Sequence, residues 1–584
     1  MSDLRRALRG LGAAAAGGAL LALAGTAAAA PPAPPKDDPA LAPAKAPRPA
    51  TGLGRVAPGA DALLVTFTDR PAAPEAARRL AGLGTTSPLV PEAGVWRLAP
   101  GTRGDVRAAA ARRAGVASAE WPLARTVAQR PRPAAPLPSI APPPLTDPLR
   151  GGQWMLASNG WEPSLTGRTP RPVIAVLDSG IDRQHEEWGG KGSPLLPGHT
   201  VFPRRASDAD DWDVSGHGTH VAGIAAAPAN GVGVVGVAPA RADGAAVLPV
   251  QVADQFGDFE DEAIIRGIRH AVRRGARVIN ISAGGEGYLN ALQETVYWAT
   301  QRGAVIVAAV GNEGDGTLLY PAAYQRVIGV GAQCGPRRDL DCPTPFGVAR
   351  FSTRNRSVDV VAPGVEILST VPVGVERNEV QPGYALKSGT SMAAPYVAGV
   401  VALVQAANGN DLSPDQVRAH LGATARDLGR RGRDDVAGHG AVDVPRAVTT
   451  PAPPDDVAEV NDDIRFVRGS GTNLATRRRL AVTADIDRRD DQDDVYAVRV
   501  RAGQRLRVEL VARTGRLNLY LWGPRTRTVA TGEANLRRNL LAFAGGPRLR
   551  QVAVIRARTT GRYFINVYAR SGATPYTLRA WTLP

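Results

Sequence analysis

Lysine is scarce in this 584-residue chain: only Lys36, Lys45, Lys191 and Lys387 occur among 70 basic residues, so the net charge of +16 is carried by arginine. Cysteine is scarcer, at two. Two thiols allow one bridge and are too few to hold a metal alone. Aromatic residues make up 5%, and no basic stripe with interleaved aromatics occurs, which argues against nucleic acid as a partner. Beyond the N-terminus no uninterrupted apolar stretch reaches ~20 residues, so no transmembrane anchor is expected. The charge is uneven. Residues 151–454 hold 27 Lys+Arg against 31 Asp+Glu, whereas residues 455–584 hold 24 against 13. The middle is slightly acidic, and the basic ends read as solvated surface.

What is present begins with an export signature. Arg5, Arg6 and Arg9 precede the small apolar run "LGAAAAGGALLALAGTAAAA", the pattern of a charged region, a short apolar region and a small-residue cleavage site. Residues 1–30 are therefore expected to be a signal peptide and the protein to be secreted. In an oxidising compartment Cys334 and Cys342, eight apart in "CGPRRDLDC", are expected to staple their loop.

The length is too great for one core. Residues 31–58 and 131–150 are Pro/Ala-rich linkers, flanking a small α+β unit at 59–130 with strands in "ALLVTF" and "AGVWRLAP". From 151 to 449 short apolar strands ("VIAVL", "AVLPVQV", "ARVINIS", "AVIVAAV", "RVIGVGA", "DVVAP") alternate with helices. That is the pattern of a doubly wound parallel-sheet α/β domain, covered on both faces. After a linker at 450–460, residues 461–584 alternate apolar and polar positions with turn glycines, as an antiparallel all-β sandwich does.

In a doubly wound sheet, function gathers at the carboxyl ends of strands. "VIAVLDSGID" stops there on Asp178, "DVSGHGTHVAG" sets His217 where a helix of small residues begins, and "SGTSMAAPYVAGVVALV" sets Ser391 at the mouth of a buried helix. A serine hydroxyl needs a base to take its proton, the imidazole needs a carboxylate to fix its tautomer, and the oxyanion needs donors already in place. The Ser391 backbone N–H and the Asn312 amide in "VGNEG" are candidates for the last role. Any one such Asp, His or Ser is more often a cap or core group; the three motifs together favour chemistry. His217 and His220 lack the third ligand of a zinc site, and His220 reads as a packed supporting residue.

The order Asp178, His217, Ser391 in "DSGID", "GHGTHVAG" and "GTSMAAP", with "VINISAGG", "VGNEG", "FSTRN" and "VAPGVEILST" between, resembles the subtilisin-like serine peptidases, or subtilases, over about 300 residues. The resemblance implies a peptide substrate added as a strand against Ser282, Ala283 and Gly284, with a second rail near "VQVADQFGDF". It also implies Leu319 at the floor of the pocket for the residue preceding the scissile bond, hence a small apolar preference. No acidic cluster like that of dibasic processing enzymes is evident.

No cofactor is implied for the chemistry. "AAPANGVGVVGVAP" resembles the family's calcium loop, which would make Glu187, Asn230 and Gln153 side-chain ligands of a structural calcium, with carbonyls of Pro228, Val232 and Val234. Residues 59–130 resemble an inhibitory prosegment, and residues 461–584 resemble the C-terminal prepeptidase (PPC) domains of secreted bacterial peptidases. The expectation is a monomeric, secreted, self-processed endopeptidase acting on protein or peptide substrates. Two alternatives stand beside it: a selective maturation peptidase, and a decayed protein that binds surfaces through its basic β module.

Overall fold

The computed structural model describes residues 55–57, 60–101, 106–127, 147–166, 172–189, 193–202, 213, 215–240, 246–254, 257–376, 379–453, 464, 467, 472–473, 479–487, 493–526, 529, 539–571 and 573–583. The expected signal peptide and most of the three linkers lie outside these residues.

The N-terminal unit is a four-stranded antiparallel sheet, ordered β2-β3-β1-β4. Its strands are β1 (Leu63–Phe67), β2 (Gly84–Val90), β3 (Val95–Pro100) and β4 (Val116–Glu120), with helices α1 (Ala73–Arg79) and α2 (Val106–Ala111). Leu63, Val65, Phe67, Trp96 and Leu98 form its core. Its last strand, β5 (Ala124–Val127), leaves this sheet altogether.

The central domain contains β6 (Ile174–Asp178), β7 (His199–Thr200), β8 (Val247–Gln251), β9 (Phe259–Glu260), β10 (Val278–Ile281), β11 (Ala283–Gly284), β12 (Val305–Ala309), β13 (Val327–Gln333) and β14 (Val360–Pro363). Seven of these form the main parallel sheet, ordered β14-β13-β12-β10-β6-β8-β7. Strands leave β6 in both directions, so the crevice expected of such a sheet falls beyond its C-terminal edge near β6 and β10. Parallel register pairs Leu177 with Ile281 and Ile281 with Ala308. Asp178, Ser282 and Ala309 therefore emerge side by side.

Alternation along β6 explains why the sheet is covered on both faces. Ile174 and Val176 pack into the layer containing α4 (His217–Ala226) and α7 (Thr390–Ala407), while Ala175 and Leu177 pack into the layer of α5 (Asp261–Arg273) and α6 (Asn290–Thr300). Small residues let the first layer close tightly. A Cβ at Gly223 of α4 would lie 2.3 Å from the Ser369 hydroxyl, and one at Gly399 of α7 would lie 2.6 Å from the Val237 Cβ. Helix α7 is also the one described helix long and apolar enough to cross a membrane, yet 94% of that stretch is buried within the domain.

Farther along, Ser413 caps the helix Pro414–Thr424 with Gln416 completing the capping box. Cys334 and Cys342 are bridged, with Cα atoms 5.6 Å apart, closing the loop after β13. The C-terminal region forms two antiparallel-rich sheets of five and four strands, which enclose Val498, Leu506, Val508, Leu519, Ile565 and Leu578.

Candidate active site

Strand β6 ends on Asp178, which is fully buried. Its Oδ1 accepts the Ser179 backbone N–H at 2.8 Å and lies 2.7 Å from Nδ1 of His217, the first residue of α4. This bond fixes the imidazole with Nδ1 as donor and Nε2 free to act as base. Nε2 is buried and has no hydrogen-bonding partner among the described residues.

Ser391 sits in the first turn of α7, and its hydroxyl donates to the Ser282 carbonyl at 2.8 Å. The Ser282 hydroxyl returns a bond of 2.9 Å to the Ser391 carbonyl. The Asp178–His217 pair and the Ser282–Ser391 pair thus hang from the adjacent ends of β6 and β10. Here the Ser391 hydroxyl points its proton at the Ser282 carbonyl rather than at His217, a looseness common in the absence of substrate.

Beyond β12, Asn312 accepts the Thr390 backbone N–H at 3.0 Å and the Thr390 hydroxyl at 3.1 Å through Oδ1. Those bonds orient the amide so that Nδ2 is left buried and without a hydrogen-bonding partner among the described residues. A donor is thereby held next to the residue that precedes Ser391. Leu319 lies where a Cβ on Gly311 would come within 2.2 Å of its Cδ1 and a Cβ on Gly284 within 3.5 Å of its Cβ. It therefore crowds the space between those two glycines.

Sequence reasoning missed Asp213. In "DADDWDVSG" it looks like one more solvated acid, yet it is fully buried. Its Oδ1 accepts the Gly216 N–H at 2.9 Å and the Ser179 hydroxyl at 2.8 Å; its Oδ2 accepts the Thr219 N–H at 2.8 Å and the Thr219 hydroxyl at 2.7 Å. Asp213 thereby ties the start of α4, which carries His217, to the end of β6, which carries Asp178. The one available signal was its position four residues before His217. His220 Nε2 donates between the carbonyls of Ile367 and Ala385 at 3.0 and 3.1 Å, and complete burial holds its pKa well below the ordinary histidine value. It supports strands and faces no open site.

Strand β5 of the N-terminal unit lies between β11 and β9, antiparallel to both, with Val127 opposite Ala283, Thr126 opposite Gly284 and Arg125 opposite Phe259. The segments expected to form the two rails, Ser282–Gly284 and the stretch ending at Phe259, are the ones this strand joins. Around it, Glu120 Oε2 accepts the Asn290 N–H at the start of α6 at 3.1 Å, and Arg273 reaches Glu92 at 3.0 Å.

The expected calcium ligands do converge, but not as an oxygen cage. Glu187 accepts the Val234 N–H at 2.7 Å and the Asn230 side-chain amide at 3.3 Å; the Asn230 Oδ1 accepts the Val232 N–H at 2.9 Å. Gln153 pairs with both the N–H and the C=O of Val235 at 2.9 Å, and Asp147 Oδ1 takes the N–H groups of Asn230 and Gly231. Calcium requires six to eight oxygens aimed inward. Here the side-chain oxygens of Glu187, Asn230 and Gln153 are aimed at N–H donors, so these side chains as arranged do not fit the ion. Among the described residues no cluster of three His, Cys, Asp or Glu that could hold a metal occurs.

A doubly wound domain with an Asp-His pair and a serine at neighbouring strand and helix ends is the arrangement that the subtilase resemblance implies. The chain belongs to the subtilase family. A profile of that family, described as "Subtilase family", matches residues 170–440. The intracellular serine protease of Paenibacillus polymyxa is 39% identical over 263 residues, which cover 42% of this chain and 72% of that protein. The thermophilic serine proteinase of Bacillus sp. (strain AK1) is 36% identical over 252 residues, covering 43% of this chain and 56% of that one, so the match spans about half the length of that relative. The crystal structure of fervidolysin from Fervidobacterium pennivorans, described as a keratinolytic enzyme related to subtilisin, shares the fold. It superposes with a TM-score of 0.58 over 86% of each chain at 22% identity.

Proposed function

We propose that this protein is an exported serine endopeptidase, made as a precursor in which residues 59–130 act as an inhibitory prosegment. The observation that carries the reading is the 2.7 Å bond between Asp178 and His217 at the strand end adjoining Ser391. Ser391 attacks the peptide carbonyl carbon while its proton passes to His217 Nε2, and the positive imidazolium is steadied by Asp178. The carbonyl oxygen becomes an oxyanion that accepts from the Asn312 amide and the Ser391 N–H. Collapse breaks the C–N bond, and His217 returns the proton to the leaving amine. Water then repeats the sequence on the acyl-enzyme.

The lie of β5 along both rails supports the prosegment role, because it occupies the groove as an added strand would. The apolar, arginine-led N-terminus supports export, and the sandwich at 461–584 is assigned as the PPC-like module.

The test is labelling with a serine-directed fluorophosphonate alongside casein hydrolysis. The wild-type protein should label, process itself and cleave casein. Ser391→Ala should lose labelling and self-processing and lower turnover by ~10⁶. A Ser391→Ala protein that still matured and digested casein would overturn the assignment, and a wild-type protein that never labelled would favour the decayed surface binder.

A further inference from the structure

Within the β5 strand the Arg125 side chain is completely buried. Its guanidinium is matched donor for donor. Nε bonds Asp261 Oδ1 at 2.8 Å and Nη2 bonds Asp261 Oδ2 at 3.0 Å, a bidentate pair. Nη1 donates to the carbonyls of Gly285 at 2.6 Å and Glu286 at 2.9 Å, and Nη2 to that of Gly287 at 3.1 Å. A guanidinium has five N–H donors, and all five are used. Every acceptor belongs to the central domain: Asp261 opens α5 beside one rail, and residues 285–287 extend the other. A Cβ at Gly285 would come within 2.8 Å of the Ala124 carbonyl and 3.2 Å of Arg125 Cδ, so glycine there lets the strand approach closely.

This pocket outlasts the prosegment that fills it. Without Arg125 it consists of one carboxylate and three carbonyls, acceptors only, and a buried carboxylate without a partner is costly. Apolar side chains leave those oxygens unsatisfied. A lysine offers three donors on a single point charge, against a site built for a planar fork.

Register then fixes the position along a substrate. Thr126 faces Gly284 and Val127 faces Ala283, so the next residue of any strand bound this way faces Ser282, whose carbonyl holds the Ser391 hydroxyl. The bond cut follows that residue, three beyond the arginine. We infer that the enzyme selects peptides with arginine at the fourth position before the scissile bond, read by Asp261 and the carbonyls of Gly285, Glu286 and Gly287. The inference rests on the peptidase reading above and deepens it towards the selective maturation peptidase.

The test uses matured enzyme and quenched-fluorescent peptides built on Arg-Thr-Val-Ala-Gln, the sequence of residues 125–129. The first position is varied to citrulline, which keeps the shape but not the charge, and to lysine and norleucine. Arginine should exceed citrulline by ~10² in kcat/KM, as expected when a buried, hydrogen-bonded charge pair loses one partner. Lysine should fall between them. Asp261→Asn should bring the arginine-to-citrulline ratio within about threefold of unity. A wild-type ratio near unity overturns the inference while leaving the peptidase intact, and that result needs no folded variant. An Asp261→Asn enzyme keeping the full ratio overturns it too. Absence of both cleavage and fluorophosphonate labelling removes the peptidase reading and this inference with it.

Discussion

The Ser282 carbonyl accepts the hydroxyl proton of Ser391 at 2.8 Å while the Ser282 hydroxyl donates to the Ser391 carbonyl at 2.9 Å. The end of β10 and the first turn of α7 are therefore one bonded unit. On the proposed reading, a substrate N–H at the Ser282 carbonyl would compete for the acceptor of the serine hydroxyl, and the hydroxyl so freed would turn to Nε2 of His217.

Asn312 is held by two bonds to Thr390, and its Nδ2 has no hydrogen-bonding partner among the described residues. Asn312→Ala should reduce kcat by ~10²–10³ with KM nearly constant, since the missing bond forms chiefly to the oxyanion. Steady-state kinetics on a casein-derived peptide check it; an equal change in KM would assign Asn312 to ground-state binding.

Leu319 crowds the space beside Gly284 and Gly311. Leu319→Gly should deepen the pocket for the residue before the scissile bond and raise the phenylalanine-to-alanine ratio in kcat/KM by ~10-fold or more. Profiling both enzymes on one peptide series reads the change directly. An unaltered ratio would move the pocket floor elsewhere.

Glu260 of β9 lies against β5, and burial pushes its carboxyl up to about 7, helped by Glu262, Asp261 and the N-terminal unit's Asp61 and opposed by Arg266. A carboxyl raised in the complex favours the complex when protonated. That contribution is fully present below the ordinary carboxylate value and is lost as pH rises through about 7. The cleaved N-terminal unit should therefore dissociate faster at pH 8 than at pH 5, and Glu260→Gln should flatten the dependence, as measured by stopped-flow recovery of activity. A wild-type rate that fell with rising pH would contradict the sign.

The loop 228–234 is held by N–H bonds to Asp147, Glu187 and Asn230. Calcium at millimolar concentration should leave its melting temperature unchanged relative to chelator, as thermal unfolding can test. A rise of several degrees would reveal differential binding to the native state and a rearranged loop.

Much of this architecture is legible in residue order. Each expected central strand is found within a residue or two, because an apolar β-branched run bounded by turns has few other ways to be buried. The local staple at Cys334 and Cys342 and the cap at Ser413 are equally readable, since both are short-range. Asp213 is not, because a buried carboxylate accepting backbone N–H groups has the same composition around it as a solvated one. Nor is the Arg125–Asp261 pair, whose members are separated by 136 positions and meet only because β5 abandons its own sheet. The side-chain oxygens at Glu187, Asn230 and Gln153 are another case: sequence gives the ligand types, while the direction of each lone pair is set by folding.

The contact of α4 with α7, where a Cβ at Gly399 would come within 2.9 Å of the Ala225 carbonyl, carries a final consequence. Imidazole and alcohol ride on two rods whose spacing is dictated by the molecule's interior, where even one extra methyl has no room. New diets must then be acquired at the rails, as pocket-lining changes near Asp261 or Leu319, while the reaction centre is inherited whole or lost.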